Sequence, residues 1–369
     1  MSITIKAFFI PQLLELANNG YDVSVICSPD SSLSELLGNT VHFISVEIPR
    51  GISLFKSLKA IKCLTSIFKE KRFDLIQYST PNAAFYSSIA SRISGCKIRN
   101  YHLMGFRYLG ATGFAKKVLK MLERMTCHNS TDIECVSQSN LALGVREGLF
   151  PPEKACVVWN GSSGGVDLER FDLRRRSEWR TQVRGELGYS DDDFIFGFVG
   201  RVTRDKGINE LLRASLNLDD RSRLLLIGNF EDPSYIDEAL LRKARNSPRI
   251  SFHTSVRDIE RYYAALDVIV LPSYREGFGN VIIEAAAMGT PAIVSEIPGP
   301  IDAVIPGKTA LMILPKNWES LQEAMRKVRS LDYRKMGMCA ASFVQENFDS
   351  KILNRKVLER KKELLGADD

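Results

Sequence analysis

The stretch Val268-Ile-Val-Leu271-Pro-Ser-Tyr-Arg-Glu276-Gly-Phe-Gly-Asn280-Val-Ile-Ile-Glu284-Ala-Ala-Ala-Met-Gly289 decides the reading of this chain. Val268–Leu271 is a short, continuous apolar run of the kind that forms a parallel strand buried on both faces. Gly277 and Gly279 mark a turn, Asn280 is a suitable N-cap, and Gly289 stands where a helix should end. The pattern is strand, turn, helix. Amides around Gly277–Asn280 then lie at a helix N-terminus, a ready anion site, and the glycines let a phosphate approach the backbone. Glu276 comes just before the helix and Glu284 about one turn into it. Carboxylates accept paired hydrogen bonds from hydroxyls, so the two glutamates suit a sugar and a ribose. Taken singly, each also fits an ordinary surface acid beside a capped helix.

The same alternation extends outward in both directions. Strand candidates on the carboxyl side are Ala292–Ser295 and Ala310–Ile313; on the amino side they are Phe194–Val199, Arg223–Ile227 and Ile250–Phe252. A second set occupies the first half: Asp22–Cys27, Val41–Val46, Leu75–Gln77, Ile98–His102, Asp132–Val136 and Ala155–Val158. Helix-length segments such as 54–70, 113–126, 208–216, 257–265 and 280–288 fall between them. Strand–helix alternation twice over predicts an α/β chain of two doubly wound, Rossmann-like domains. The 369 residues are ample for two cores. The polar stretch 166–192 sets the boundary: an N-terminal domain over 1–165, a C-terminal domain over 166–344, and one long helix over 345–369 that packs back toward the first domain. The chain opens in a helix over Lys6–Asn18 with only Ser2–Ile5 before it. A doubly wound domain ordinarily starts with a strand, so the first strand of the N-terminal domain is expected to be missing.

Composition excludes several classes. No run of eighteen apolar residues exists to span a bilayer, and Met1–Phe9 makes a poor signal peptide. The seven cysteines (Cys27, Cys63, Cys96, Cys127, Cys135, Cys156, Cys339) are scattered without a C-x-x-C pair, which fits reduced thiols in a cytoplasmic protein. His42, His102, His128 and His253 have no metal-ligand spacing, and no metal is expected. The net charge of +6 is unevenly placed: residues 50–124 hold 15 Lys and Arg against 3 Asp and Glu. A basic face suggests an anionic partner.

A second segment with chemical content is Phe194-Ile-Phe-Gly-Phe-Val-Gly200-Arg201-Val-Thr-Arg-Asp-Lys206-Gly207. Arg201 and Lys206 follow a strand and precede a helix, at the carboxyl end of the sheet where open α/β sheets bind ligands. Two cations there can hold a diphosphate and stabilise it as it leaves. The segment is not a Walker loop, because G-x-x-x-x-G-K-S/T is absent.

Together the E-x7-E string and the R-x4-K-G pair resemble the retaining transferases of glycosyltransferase family 4, which have the GT-B fold, and the resemblance covers nearly the whole chain. It implies two Rossmann-like domains facing a cleft. Arg201 and Lys206 would bind the donor diphosphate, Glu276 the donor sugar and Glu284 the ribose, with Gly277, Phe278, Gly279 and Asn280 turning backbone amides to phosphate or sugar. Val256, in Val256-Arg-Asp258, would cover the nucleotide base. Tyr101-His102-Leu-Met-Gly105 resembles the family strand whose histidine touches the transferred sugar, so His102 joins Glu276, Arg201 and Lys206 as a catalytic candidate. Ser137-Gln-Ser139 resembles the start of the helix that follows. Asn160-Gly-Ser-Ser-Gly-Gly165-Val-Asp167-Leu-Glu-Arg-Phe171 resembles the crossover of the subgroup that builds bacterial surface polysaccharides, capsule and lipopolysaccharide among them, on a lipid carrier.

The expected reaction moves a sugar from a nucleotide-diphosphate sugar, UDP-linked, to a lipid-linked saccharide with retention. No carboxylate nucleophile stands out, and the resemblance implies front-face attack. No cofactor is expected, and no D-x-D segment stands where a metal-dependent enzyme would need it. Segment 54–72 mixes Leu54, Leu58, Ile61 and Phe68 with Lys56, Lys59, Lys62 and Lys69. Segment 113–126 sets Lys116, Lys117, Lys120 and Arg124 beside Val118, Leu119, Leu122 and Met125. Basic amphipathic helices lie on anionic lipid, which places the chain peripherally at the inner face of the plasma membrane. Nucleic acid is not expected as a partner, since no recognised binding module accompanies the charge. The alternatives are a nucleotide-sugar epimerase of GT-B shape and, given the short N-terminus, a truncated donor-binding protein with little catalysis.

Overall fold

Six short strands organise the first half: β1 (Ser24–Cys27), β2 (His42–Ser45), β3 (Leu75–Ser79), β4 (Ile98–Leu103), β5 (Asp132–Cys135) and β6 (Ala155–Cys156). Six more organise the second: β7 (Phe194–Val199), β8 (Ser222–Ile227), β9 (Ile250–His253), β10 (Val268–Leu271), β11 (Ala292–Ser295) and β12 (Ala310–Ile313). The computed structural model describes residues 2–49, 54–231 and 233–366. It divides the chain into a first unit, Met1–Gly164 with Ser350–Asp369, and a second unit, Gly165–Asp349.

The second unit holds one six-stranded sheet in the order β12-β11-β10-β7-β8-β9, parallel throughout. From β7 the chain winds outward through β8 and β9, then returns past β7 to β10 and winds the other way. That reversal makes the gap between the carboxyl ends of β7 and β10 a topological switch point, where such sheets bind ligands. The strands are apolar on both faces because both are covered: Ile195, Phe196, Phe198, Leu225, Ile269 and Val270 are fully buried. Gly197 in the middle of β7 makes room for a neighbour; a Cβ there would lie 2.1 Å from Leu266 Cδ1. Helix Arg176–Glu186, within the polar stretch before β7, belongs to this unit. Its Arg180 and Arg184 each reach Asp267 at 2.6 Å, and Asp267 also accepts the Ile195 amide at 2.8 Å.

The first unit is built on two separate parallel ladders, β1-β2 and β3-β4-β5-β6. Its apolar core has two clusters, and Ile26, Ile44 and Val46 at β1 and β2 pack with the larger one. Val25, Cys27, Leu33, Leu37 and Val41 form one cluster, and a larger one gathers around Tyr78, Tyr101, Leu103 and Ile133. Two elements differ from expectation. The helix read over Lys6–Asn18 is two helices, Ser2–Phe8 and Ile10–Asn18, because Pro11 cannot donate to the preceding turn and its ring clashes with it. The tail read as one helix over 345–369 is the end of helix Tyr333–Asn347 followed by helix Ser350–Leu365. Between them Phe348 leaves helical geometry, its carbonyl accepts the Val166 amide at 2.8 Å, and its ring packs on Phe278 and Phe343.

Candidate active site

The two loops that leave β7 and β10 are tied together backbone to backbone. Gly207 closes the first, with φ +68°, and a Cβ on it would lie 2.1 Å from the Pro272 carbonyl oxygen. Only glycine satisfies both the left-handed backbone and the close approach. Across the same gap the Tyr274 amide donates to the Asp205 carbonyl at 2.7 Å. The Asp205 carboxylate pairs with Arg275 at 2.6 Å and accepts the Thr203 hydroxyl at 2.7 Å. Burial alone would raise the Asp205 carboxyl, but the Arg275 guanidinium, the Thr203 hydroxyl and the Lys206 ammonium together outweigh it and hold the group below its usual range.

That framework brings Lys206 and Glu276 into direct contact. The Lys206 ammonium donates to Glu276 Oε1, and the Ser273 hydroxyl donates to the same oxygen at 2.8 Å. Both charged side chains are largely buried, so each is neutralised by the other rather than by water. The sequence pairs them at a distance of 70 positions; the switch point makes them neighbours. Arg201 stands on the same rim but is turned outward, with 62% of its side chain exposed, and pairs with Glu231 at 2.9 Å.

After Glu276 the chain enters helix Asn280–Ala287. Asn280 is its first residue, and the N-cap position expected of Asn280 is held by Gly279, at φ +97°. A glycine serves there because a Cβ would press within 2.9 Å of Ile282 Cδ1. Phe278 is 2% exposed and packs edge-on to Phe348. Its side chain is spent on the core, so Gly277–Gly279 can offer a ligand only backbone. Gly299, beyond β11, supports this turn from behind: a Cβ on it would lie 2.8 Å from the Gly277 carbonyl oxygen. Glu284 is buried and accepts the Tyr263 hydroxyl at 2.9 Å. Burial raises its carboxyl above the usual range, and the Tyr263 hydroxyl offsets part of that rise. Val256 lies half-buried on the loop after β9, on the carboxyl rim of the same sheet.

His102 belongs to the first unit, near the end of β4. It is 8% exposed, stands edge-on to Phe9 at 5.1 Å, and its Nδ1 is 3.9 Å from Glu134 Oε2. Glu134 is paired with buried Lys361 at 2.6 and 2.8 Å. Burial alone would raise the Glu134 carboxyl, but the Lys361 ammonium and His102 together override it and hold the group down to about 2. Ser273, Tyr263, Arg275 and Gly299 escaped the sequence reading. Only Ser273, three positions before Glu276, carried any local signal.

The comparisons with known proteins agree with this geometry. Residues 180–339 match the model of the glycosyl transferases group 1 family, and residues 13–170 match that of Glycosyltransferase Family 4. The capsular polysaccharide biosynthesis glycosyltransferase CapM of Staphylococcus aureus is 30% identical over 320 residues, covering 86% of this chain and 83% of its own. The UDP-Gal:alpha-D-GlcNAc-diphosphoundecaprenol alpha-1,3-galactosyltransferase of Escherichia coli is 27% identical over 77% of this chain and 74% of its own. The crystal structure of Anabaena Alr3699/HepE in complex with UDP-glucose superposes with a TM-score of 0.77 over 96% of this chain and 95% of that one, at 19% identity. The chain belongs to the family-4 glycosyltransferases and has their GT-B fold of two Rossmann-like α/β domains. Its activity is glycosyl transfer.

Proposed function

We propose that the chain transfers a sugar, with retention, from a UDP-linked donor to a lipid-linked saccharide in the synthesis of a bacterial surface polysaccharide. The observation that carries this reading is the Lys206–Glu276 pair at the switch point, set against a glycine turn that leads into a helix. In the absence of donor the two charges satisfy each other. A donor diphosphate draws Lys206 to itself, and Glu276, still held by Ser273, is released to accept sugar hydroxyls. Arg201 swings from Glu231 to the phosphates, and the positive end of helix Asn280–Ala287 adds to the same field. Glu284 receives the ribose hydroxyls and Val256 covers the base. The charge of the departing diphosphate is thus met by fixed groups, and its phosphate oxygen takes the acceptor proton on the face the donor leaves. His102 contacts the transferred sugar. The Escherichia coli relative acts on UDP-Gal and a diphosphoundecaprenol-linked sugar, and the Staphylococcus aureus relative works in capsule synthesis; both support the donor and acceptor class.

The acceptor would be met at the inner face of the plasma membrane. Helices Leu54–Lys71 and Gly113–Asn129 both pack on helix Pro81–Ser94. They expose Phe55, Leu58, Phe114 and Met121 among their lysines. Of the stripe read over this helix, Leu58 is exposed and Phe68 is buried together with Ala60 and Leu64; the side chain of Leu54 lies outside the described residues. Apolar tips among cations suit an anionic lipid surface. Among the described residues no helix is long and apolar enough to cross a membrane.

Incubation with a panel of UDP- and GDP-sugars, with and without lipid-linked acceptors, tests the reading. Transfer that requires acceptor and retains configuration is expected. Interconversion of the donor alone would replace this reading by the epimerase.

A further inference from the structure

The two glutamates that flank the glycine turn are held in different ways. Glu276 is matched by a cation, the Lys206 ammonium. Glu284 is not. The Tyr263 hydroxyl donates to its Oε2 at 2.9 Å, and among the described residues Oε1 has no hydrogen-bond partner. The charges that act on Glu284 from further off are Arg170 and Glu260. These two pair with each other at 2.8 Å, and their effects on Glu284 oppose one another. Glu284 is therefore a carboxylate held by one neutral donor, with its other oxygen open.

The donor is itself anchored. Tyr263 lies in the last turn of helix Ile259–Ala265 and is fully buried, as are Ala264, Ala265 and Leu266 after it. Its ring packs on Phe171 with centroids 6.2 Å apart. Its carbonyl accepts the buried Thr290 hydroxyl at 2.9 Å. The Tyr263 hydroxyl is thus a fixed point, and Glu284 is tied to it. A glutamate gives up rotamer freedom when it is ordered; here Tyr263 imposes that loss before any ligand arrives, which favours binding. A carboxylate oxygen carries two lone pairs, so Oε1 can accept two hydroxyls while Oε2 stays with Tyr263. Two neutral donors on adjacent carbons, a vicinal diol, fit that acceptor. The tie also decides what happens when one hydroxyl is missing. A mobile carboxylate would turn to water and lose little. A tied one cannot follow, and its oxygen is left short of a donor.

We propose that Tyr263 is a positioning residue that sets donor specificity: by holding Glu284 through Oε2 it makes the site select ribonucleotide-linked sugars over their 2′-deoxyribonucleotide counterparts. The role rests on the placement of the ribose at Glu284 proposed above. It also separates the two glutamates in time. The Lys206–Glu276 contact opens when a donor diphosphate arrives, whereas the Tyr263–Glu284 bond persists and only the open oxygen changes partners. The same bond favours the accepting form of the carboxyl, since the Tyr263 hydroxyl opposes the rise that burial causes. Contacts to the base and to the diphosphate are indifferent to the 2′ position, so the discrimination falls on Glu284 and on what holds it.

Titration calorimetry with UDP and with 2′-deoxy-UDP, on the wild-type chain and on Tyr263→Phe, provides the test. The substitution removes one oxygen and keeps the ring that packs on Phe171. The wild type should bind UDP about 10–100-fold more tightly than 2′-deoxy-UDP, the loss expected when a charged acceptor misses one hydroxyl. Tyr263→Phe should weaken UDP and leave 2′-deoxy-UDP almost unchanged, so that the preference falls to about threefold or less as the carboxylate regains its freedom. A purely structural role for Tyr263 would weaken both nucleotides equally. A wild-type preference preserved in Tyr263→Phe therefore overturns the proposal while leaving the ribose at Glu284. No preference in the wild type overturns the placement of the ribose, and the proposal with it. Should Tyr263→Phe fail to fold, a crystal structure of the wild-type chain with UDP decides. The Tyr263–Glu284 hydrogen bond should be kept, with Oε1 on the ribose hydroxyls, and a Glu284 turned away from Tyr263 in that complex overturns the proposal.

Discussion

The two units apply the same winding rule to their sheets with opposite results at the centre. In the second unit β7 and β10 are hydrogen-bonded neighbours, and the loops that leave them touch through Gly207 and Pro272. The switch point is closed, and Lys206 and Glu276 meet on it. In the first unit the corresponding place is a cavity lined by helices, one of which, Ser350–Leu365, is tied to β5 by the buried pair Lys361–Glu134. A continuous ladder can hold charged groups at its rim with modest support. A divided one depends on long-range side-chain contacts for its integrity, so the two units should respond differently to the same kind of damage.

The largest separation is expected from Lys361→Met. It strands the buried Glu134 carboxylate and should destabilise the first unit by about 3–5 kcal/mol, while binding of UDP by the second unit persists; calorimetry with UDP titration reads both. Loss of UDP binding in parallel would mean that the two units do not respond separately. Glu276→Ala should do the reverse. Transfer should fall by about 10²–10³-fold, with a smaller loss of thermal stability than Lys361→Met gives, because Lys206 is less deeply buried than Lys361; near-normal turnover would remove Glu276 from the site.

Acidity gives a third contrast. Glu123 is buried in helix Gly113–Asn129 and accepts the Tyr101 hydroxyl at 2.8 Å. Burial raises its carboxyl from 4.5 to about 7, the Tyr101 hydroxyl opposing part of the rise. A group whose pKa is raised in the folded state contributes stability fully below its unfolded pKa and loses it as pH rises through the folded one. The first unit should therefore lose up to roughly 3 kcal/mol between about pH 4.5 and 7, and Glu123→Gln should flatten that slope. Glu284 gives the second unit a slope of the same sign. An unchanged slope in Glu123→Gln would show that the carboxyl is solvated in the folded state. The smallest effect is expected at the surface. Phe55→Ser combined with Phe114→Ser should weaken sedimentation with vesicles of mixed zwitterionic and anionic phospholipid by about tenfold, and binding unaffected by both changes would remove the helices from the membrane face.

Much of this was legible in the sequence because it is local. Continuous apolar runs gave β7, β10, β11 and β12 at their observed bounds, and glycines at 207, 279 and 289 marked turns whose backbone only glycine adopts readily. Glu276 and Lys206 stood out because each sits just after such a run. The partners that hold them did not. Nothing adjacent in sequence couples Gly299 to Gly277, Tyr263 to Glu284, or Arg275 to Asp205, and a tyrosine or arginine in an amphipathic segment has many uses. The N-cap at Gly279 differs from expectation for a related reason: the sequence marks where a turn gives way to a helix, but the close neighbour Ile282 decides which residue caps it.

By itself, then, the sequence determined the elements, their parallel class and the acidic and basic residues of the candidate site, since backbone preference, turn chemistry and burial of strands are set within a few positions. Only the tertiary structure decided that Lys206 and Glu276 neutralise one another, that Lys361 holds Glu134 ionised beside His102, and that the strands of the first unit form two separate ladders. Those outcomes depend on which strand lies beside which, and strand order is fixed by the packing of distant segments rather than by any one of them.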